Sequence, residues 1–163
     1  MRLLFVCLGN ICRSPMAEGA LRARLREAGL GGRVEVDSAG TGDWHVGHPP
    51  DHRAIACARG HGVDIAGLRA RQLQRQDFER FDWLLCADAQ NLRDARRRAP
   101  PQLAHKAVLL LEWAGIPETV AVPDPYTGCG DDFELTWRLV DSAASAVVAR
   151  LAAGPESGII DRW

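Results

Sequence analysis

Lysine is almost missing from this 163-residue chain: of its 20 basic residues, only Lys106 is a lysine and the rest are arginine. We read that imbalance as the bias of a GC-rich, bacterial coding genome rather than as chemistry. An excess of either charge is missing too, with 20 basic residues against 21 acidic ones. No broad positive field is therefore available to hold a nucleic acid. The cluster Arg96-Arg97-Arg98 reads as a solvated helix end rather than a binding patch. Long apolar runs are absent as well. The stretch Val108 to Leu111 is far short of the roughly 20 residues that a membrane span needs, so no membrane association is expected. The apolar start of the chain stops at Gly9 without a cleavage site, which excludes a signal peptide as the reading of that stretch. Internal repeats and low-complexity segments do not occur, and the length suits one domain with a proper core.

What the chain does have is an alternation of strand and helix signals. Arg2-Leu3-Leu4-Phe5-Val6 is a continuous apolar run of the kind found in strands buried on both faces. Ser14 suits a helix N-cap and Pro15 the first helical position. Ala17, Leu21, Leu25 and Ala28 then recur at helical spacing up to Gly29, a suitable C-cap residue. Further along, the pattern predicts strands at Val34–Val36, Trp83–Ala87 and Ala107–Leu111. It predicts helices over 49–61, from a cap at Asp88 to about Arg98, and over about 131–152. This order implies an α/β single domain, with a short central parallel sheet of about four strands and helices on both faces. The domain is expected over 1–152, with 153–163 as a loose tail.

Between the first strand and first helix lies Cys7-Leu8-Gly9-Asn10-Ile11-Cys12-Arg13-Ser14. A strand-to-helix loop of this kind points backbone N–H groups at one spot near the positive end of a helix dipole. Gly9 and Asn10 are the residues most tolerant of the positive φ that a tight cradle needs. Thiols react as thiolates, a form that helix N-termini and nearby arginines favour. Arg13 offers a planar fork that can grip two phosphate oxygens, which lysine could not do. Ser14 can donate its hydroxyl to the Cys7 sulfur. Together these features point to phosphoryl transfer onto Cys7, followed by hydrolysis. Taken alone, a cysteine at the end of a buried strand is merely a small hydrophobe. The functional reading rests on strand, glycine, arginine and Ser-Pro helix start occurring together.

The segment Val6 to Glu18, VCLGNICRSPMAE, resembles the signature of the low-molecular-weight protein tyrosine phosphatases, in their bacterial form. The resemblance extends along nearly the whole chain, through Asp37-Ser38-Ala39-Gly40-Thr41, Phe81 to Asp94 and Asp124-Pro125-Tyr126. It implies a protein-tyrosine phosphatase working through a cysteinyl phosphate. Cys7 would be the nucleophile, Arg13 the phosphate clamp and Asp124 the general acid and later base. Without it, Asp124-Pro125 is an ordinary turn dipeptide. By the same resemblance Leu8, Gly9, Asn10, Ile11, Cys12 and Ser14 contact substrate, Trp44, His45 and Tyr126 wall the pocket, and Ser38 supports Asn10. Asp88 and Asn91 match a family pair read here as capping. Two departures stand out. Thr127 replaces a second aromatic after the tyrosine, and Leu68 replaces a histidine before Arg69-Ala70-Arg71-Gln72 that braces the loop asparagine.

Five cysteines, an odd number with one needed as a thiolate, suit a reducing compartment, so a cytoplasmic protein is expected. Cys12 either packs beneath the loop or forms a reversible disulfide with Cys7 under oxidation. Cys57 and Cys86 read as core residues, and Cys129 as an exposed loop residue. His45, His48 and His52 cluster loosely, but Pro49 and Pro50 interrupt metal-ligand spacing, so neither metal nor cofactor is expected. The expected partner is a phosphotyrosine-containing protein, such as a bacterial tyrosine kinase, met by a monomer or weak dimer. Three rivals remain open. An arsenate reductase needs a cysteine relay, of which Cys86 could be one member but Arg93 could not. A protein-arginine phosphatase has threonine where Ile11 stands. A non-catalytic phosphotyrosine-binding module would have no need of Cys7, Arg13 and Asp124 together.

Overall fold

The structure, a computed structural model, describes residues 1–154. The expected tail lies outside the described residues from position 155 onward. Four parallel strands form one sheet: β1 (Arg2–Cys7), β2 (Glu35–Gly40), β3 (Trp83–Cys86) and β4 (Ala107–Leu109), in the order β2-β1-β3-β4. The most apolar strand, β1, is therefore central. Its side chains alternate between two cores, as a pleated strand requires. Leu3, Phe5 and Cys7 pack with the helices α1 (Arg13–Glu27), α2 (His52–Gly60), α5 (Leu110–Ala114) and α6 (Gly130–Ala153). Leu4 and Val6 join the opposite core, with α3 (Asp77–Arg80), α4 (Ala89–Arg98) and the 3-10 turn Pro101–Lys106. The expected α/β single domain is thus what the chain forms. Among the described residues, no helix is long and apolar enough to cross a membrane.

Several boundaries differ from expectation for physical reasons. Helix α1 starts at Arg13 with Cys12 at the N-cap, so Ser14 lies inside the first turn and does not cap it. At its other end Ala28 is the C-cap and Gly29 follows at φ 70°, with Leu30 N–H bonded to Leu25 C=O. Such an ending uses glycine just past the helix. The strand β2 runs four residues beyond Val36, through Asp37 and Ser38, whose polarity masks it. Pro49 and Pro50 stay outside α2, which begins after Asp51 accepts a bond from Arg53 N–H. The apolar run 107–111 divides after Leu109, where Leu110 opens α5. A short apolar run does not distinguish strand from buried helix. Asp88 caps α4 as expected, and α4 ends before Pro100.

Candidate active site

Residues 8–12 lie beyond the carboxyl end of β1, where parallel sheets bind ligands. Other segments tie the loop down by its carbonyls. Thr41 N–H donates to Cys7 C=O, Gly42 N–H to Leu8 C=O, Asp51 N–H to Ile11 C=O and Met16 N–H to Cys12 C=O, at 2.8–3.1 Å. The loop N–H groups of residues 8–12 donate to no acceptor among the described residues. Asn10, at φ 55°, is the one non-glycine residue with positive φ among those described. Gly9 does not use a positive φ. It matters because a Cβ there would come within 3.0 Å of the His45 ring. Gly40, at the end of β2, is more constrained still. A Cβ there would meet Leu8 C=O at 2.8 Å and the backbone of Asn10 and Gly9 at 3.1 Å.

A buried hydrogen-bond network lies under the loop. Cys7 Sγ and Ser14 Oγ are 2.9 Å apart. The Asn10 amide donates to Ser14 Oγ and Ser38 Oγ, both at 2.9 Å, and its Oδ1 accepts from Arg71 N–H at 3.0 Å. Ser38 Oγ in turn donates to Glu18. Asn10, Ser14, Glu18 and Ser38 are each buried, so every bond in this chain saves a desolvated group from going unpaired. Burial pushes the Glu18 carboxyl above its ordinary range, against the Ser38 bond and Arg22, which pull it down. The loop asparagine is fully braced without a histidine at position 68. The backbone of Arg71 supplies its third bond, and Arg71 is itself fixed by Asp37 and Asp77.

Arg13 is buried behind the loop. Its Nη1 donates to Asp88 Oδ2 at 2.6 Å and to Val122 C=O at 3.2 Å, and its Nη2 lies 3.5 Å from Asp124 Oδ2. Asp88 therefore does more than cap α4: one oxygen takes Asn91 N–H and the other aims the guanidinium. Burial alone would lower the Arg13 pKa, but Cys7, Asp88 and Asp124 outweigh it and hold the guanidinium above its ordinary value. A cleft of about 140 Å³ opens above, lined by Cys7, Leu8, Gly9, Ile11, Cys12, Arg13, Trp44, His45, Asp124 and Tyr126. Asn10, Ser14 and Ser38 do not line it and support it from below instead. Thr127 does not line it either. Trp44 lines it from the rim, where it stands 66% exposed.

The chain that carries this cleft is similar to known proteins along nearly its whole length. The model of the family "Low molecular weight phosphotyrosine protein phosphatase" matches residues 2–156. The chain belongs to that family. The low molecular weight protein-tyrosine-phosphatase of Streptomyces coelicolor is 46% identical over 153 residues, covering 91% of this chain and 92% of that one. Among solved structures, the protein tyrosine phosphatase of Entamoeba histolytica with Hepes in the active site superposes at a TM-score of 0.88 with 32% identity, covering 94% of this chain and 98% of that one. The crystal structure of YfkJ from Bacillus subtilis gives 0.86 and 36%, covering 94% and 95%. The family is one of hydrolases acting on phosphotyrosine.

Within this phosphatase scaffold, sequence reasoning missed Glu18, Arg71 and Arg53. The first two complete the Asn10 network. Arg53 donates to Tyr126 C=O at 2.9 Å and lies over the Tyr126 and Phe133 rings, linking α2 to the Asp124 loop. Glu18 ends the signature segment 6–18 and Arg71 lies in the segment 69–72, and those positions were the available signals; no motif marks Arg53. Cys86 is fully buried and its thiol is pushed up to about 12, chiefly by burial, so it is a poor member of a thiol relay. Cys57 is half-buried, not a core residue.

Proposed function

We propose that the protein hydrolyses phosphotyrosine in proteins through a phosphocysteine at Cys7. The observation that carries this is the shared cleft: Cys7 beneath unpaired loop N–H groups, with Arg13 and Asp124 both facing it. The phosphate oxygens are gripped by the loop amides and the Arg13 fork, in the way helix N-termini and arginine bind such groups. Cys7 Sγ attacks phosphorus, the bond to the tyrosine oxygen breaks, and Asp124 gives that oxygen its proton. Asp124 then takes a proton from water as the water attacks phosphorus and the P–S bond breaks. The Ser14 hydroxyl donates to the departing sulfur. Leu8, Ile11, Trp44, His45 and Tyr126 form walls suited to an aryl ring rather than a serine or guanidinium stem.

The same reading gives Cys12 a protective role. Peroxide converts Cys7 to a sulfenic acid, the Cys12 thiol attacks it, water leaves, and a disulfide results. Burial, with Asp51 and Cys7 adding, pushes the Cys12 thiol well up, so its sulfur enters as a thiol losing its proton in the step. Sulfinic acid at Cys7 with no Cys7–Cys12 link after peroxide would overturn this role. Five free cysteines favour a cytoplasmic setting, and a bacterial tyrosine kinase is the partner whose chemistry fits. The reaction is tested by steady-state turnover of phosphotyrosine, phosphoserine and phosphoarginine peptides with wild type and Cys7→Ser. Phosphotyrosine turnover abolished by the substitution is expected. No turnover of any ester by the reduced wild type would contradict the proposal.

A further inference from the structure

On the side of the molecule formed by α2 and α6, three metal-ligating side chains from two helices meet. Cys57 lies on α2 and His61 one turn later, the i,i+4 spacing that puts two side chains on one helix face. Glu134 reaches across from α6. Cys57 Sγ is 3.4 Å from Glu134 Oε1, and His61 Nε2 is 2.8 Å from Glu134 Oε2. One donor atom from each residue falls within 4.8 Å of the other two. Ligands about 2.0–2.3 Å from a tetrahedral zinc ion are roughly 3.3–3.7 Å from one another, so small rotations suffice to close on an ion. The His61 ring is already fixed, stacked on Trp137 at 5.1 Å with planes 10° apart.

We propose that Cys57, His61 and Glu134 form a binding site for a divalent transition ion, zinc by preference. Thiolate, imidazole and carboxylate together suit a borderline-soft ion rather than magnesium or calcium, whose ligands are oxygens. The three residues fill three positions and leave a fourth to water. Binding forms the metal–sulfur bond and breaks the Cys57 S–H bond, and the proton passes to solvent. Burial, then Glu134, pushes that thiol up to about 12, so the ion must displace a firmly held proton. The site fastens two segments that hold the cleft. The N–H of Asp51, which caps α2, supports Ile11, while α6 follows directly on the loop carrying Asp124 and Tyr126. It takes no part in phosphate chemistry, and its failure leaves the phosphatase reading untouched.

Cobalt(II) is the probe, because a thiolate ligand gives it a near-ultraviolet charge-transfer band. The full chain is titrated as wild type, Cys57→Ser, His61→Ala, Cys7→Ser and Cys129→Ser. The expected result is a band reaching one cobalt per chain in wild type, Cys7→Ser and Cys129→Ser, and lost in Cys57→Ser. In His61→Ala the affinity falls roughly tenfold or more. Zinc raises the Tm of Cys7→Ser by roughly 5 °C and leaves the Cys7→Ser/Cys57→Ser double variant unmoved. A band that survives Cys57→Ser, that vanishes with Cys7→Ser, or that never forms overturns the proposal.

Discussion

The floor of the cleft and its rim are held in different ways. On the floor, Asn10, Arg13, Ser14 and Ser38 are at most 5% exposed, and each side chain has two or more polar partners or a short chain of them. On the rim, Trp44 is 66% exposed and Tyr126 49%, and among the described residues the Asp124 carboxylate keeps only Tyr126 N–H and a 3.5 Å approach to Arg13. Desolvated, fully paired networks resist displacement, whereas exposed side chains reorient at little cost. The floor is thus built to keep one geometry, the rim to adapt, and in the proposed reaction the floor meets the phosphate and the rim whatever carries it. The rim also holds Asp124, the proposed proton donor, so the proposed chemistry spans both.

Substitutions that touch one region and spare the other would break this division. The largest effect belongs to Asp124→Asn. Its kcat on phosphotyrosine peptides should fall by about 10²–10³, with unfolding free energy changed by less than about 1 kcal/mol, because the side chain is exposed. Asn10→Ala should do the reverse. It takes one bond from each of the Ser14 and Ser38 hydroxyls, leaves the Arg71 N–H without its acceptor and puts alanine at φ 55°, so urea unfolding should show a loss of about 2–3 kcal/mol. Its activity should fall less than that of Asp124→Asn.

Asp51 joins the two regions, and its effect should depend on pH. Its carboxyl is held below the usual range, first by the Arg53 side-chain bonds. A carboxylate with a lowered folded pKa contributes stability above its unfolded pKa of about 3.9 and loses it as pH falls through the folded value. Asp51→Asn should therefore cost about 1 kcal/mol from pH 7 down to about 5, a difference that shrinks towards zero below about pH 4. A gap that widens on acidification would mean that Arg53 is not its partner. Trp44→Ala should have the smallest effect on the fold, within about 0.5 kcal/mol, while raising KM for peptides several-fold and leaving small aryl phosphates nearly unchanged.

The same contrast explains what could be read from the chain. β1, α4 and α6 follow from apolar period and caps, because nothing functional disturbs their patterns. The sequence pattern ends β2 at Val36, short of Gly40, because Asp37 and Ser38 are there to hold Arg71 and Asn10, and a functional polar pair breaks strand periodicity. Ser14 looked like a cap because serine-proline is a helix start; its hydroxyl instead reaches Cys7. Cys7, Arg13 and their spacing are local and therefore legible. Asp88, Glu18 and Arg53 act across the fold, and no local pattern announces a partner 75 residues away, as Asp88 is from Arg13. Cys57 and His61 share a helix face in plain view, but Glu134 is 73 residues beyond His61.

The most direct test is a rapid acid quench of the protein turning over a phosphotyrosine peptide, followed by mass spectrometry of the peptide containing Cys7. Asp124→Asn is run beside wild type, since in the proposed mechanism formation of the intermediate uses the Asp124 proton and its hydrolysis uses the Asp124 carboxylate as base. Phosphate bound to Cys7 at the quench, and absent from Cys7→Ser, is the predicted result. Continued turnover with Cys7 unphosphorylated at every quench time, or phosphate on another residue, would contradict the account.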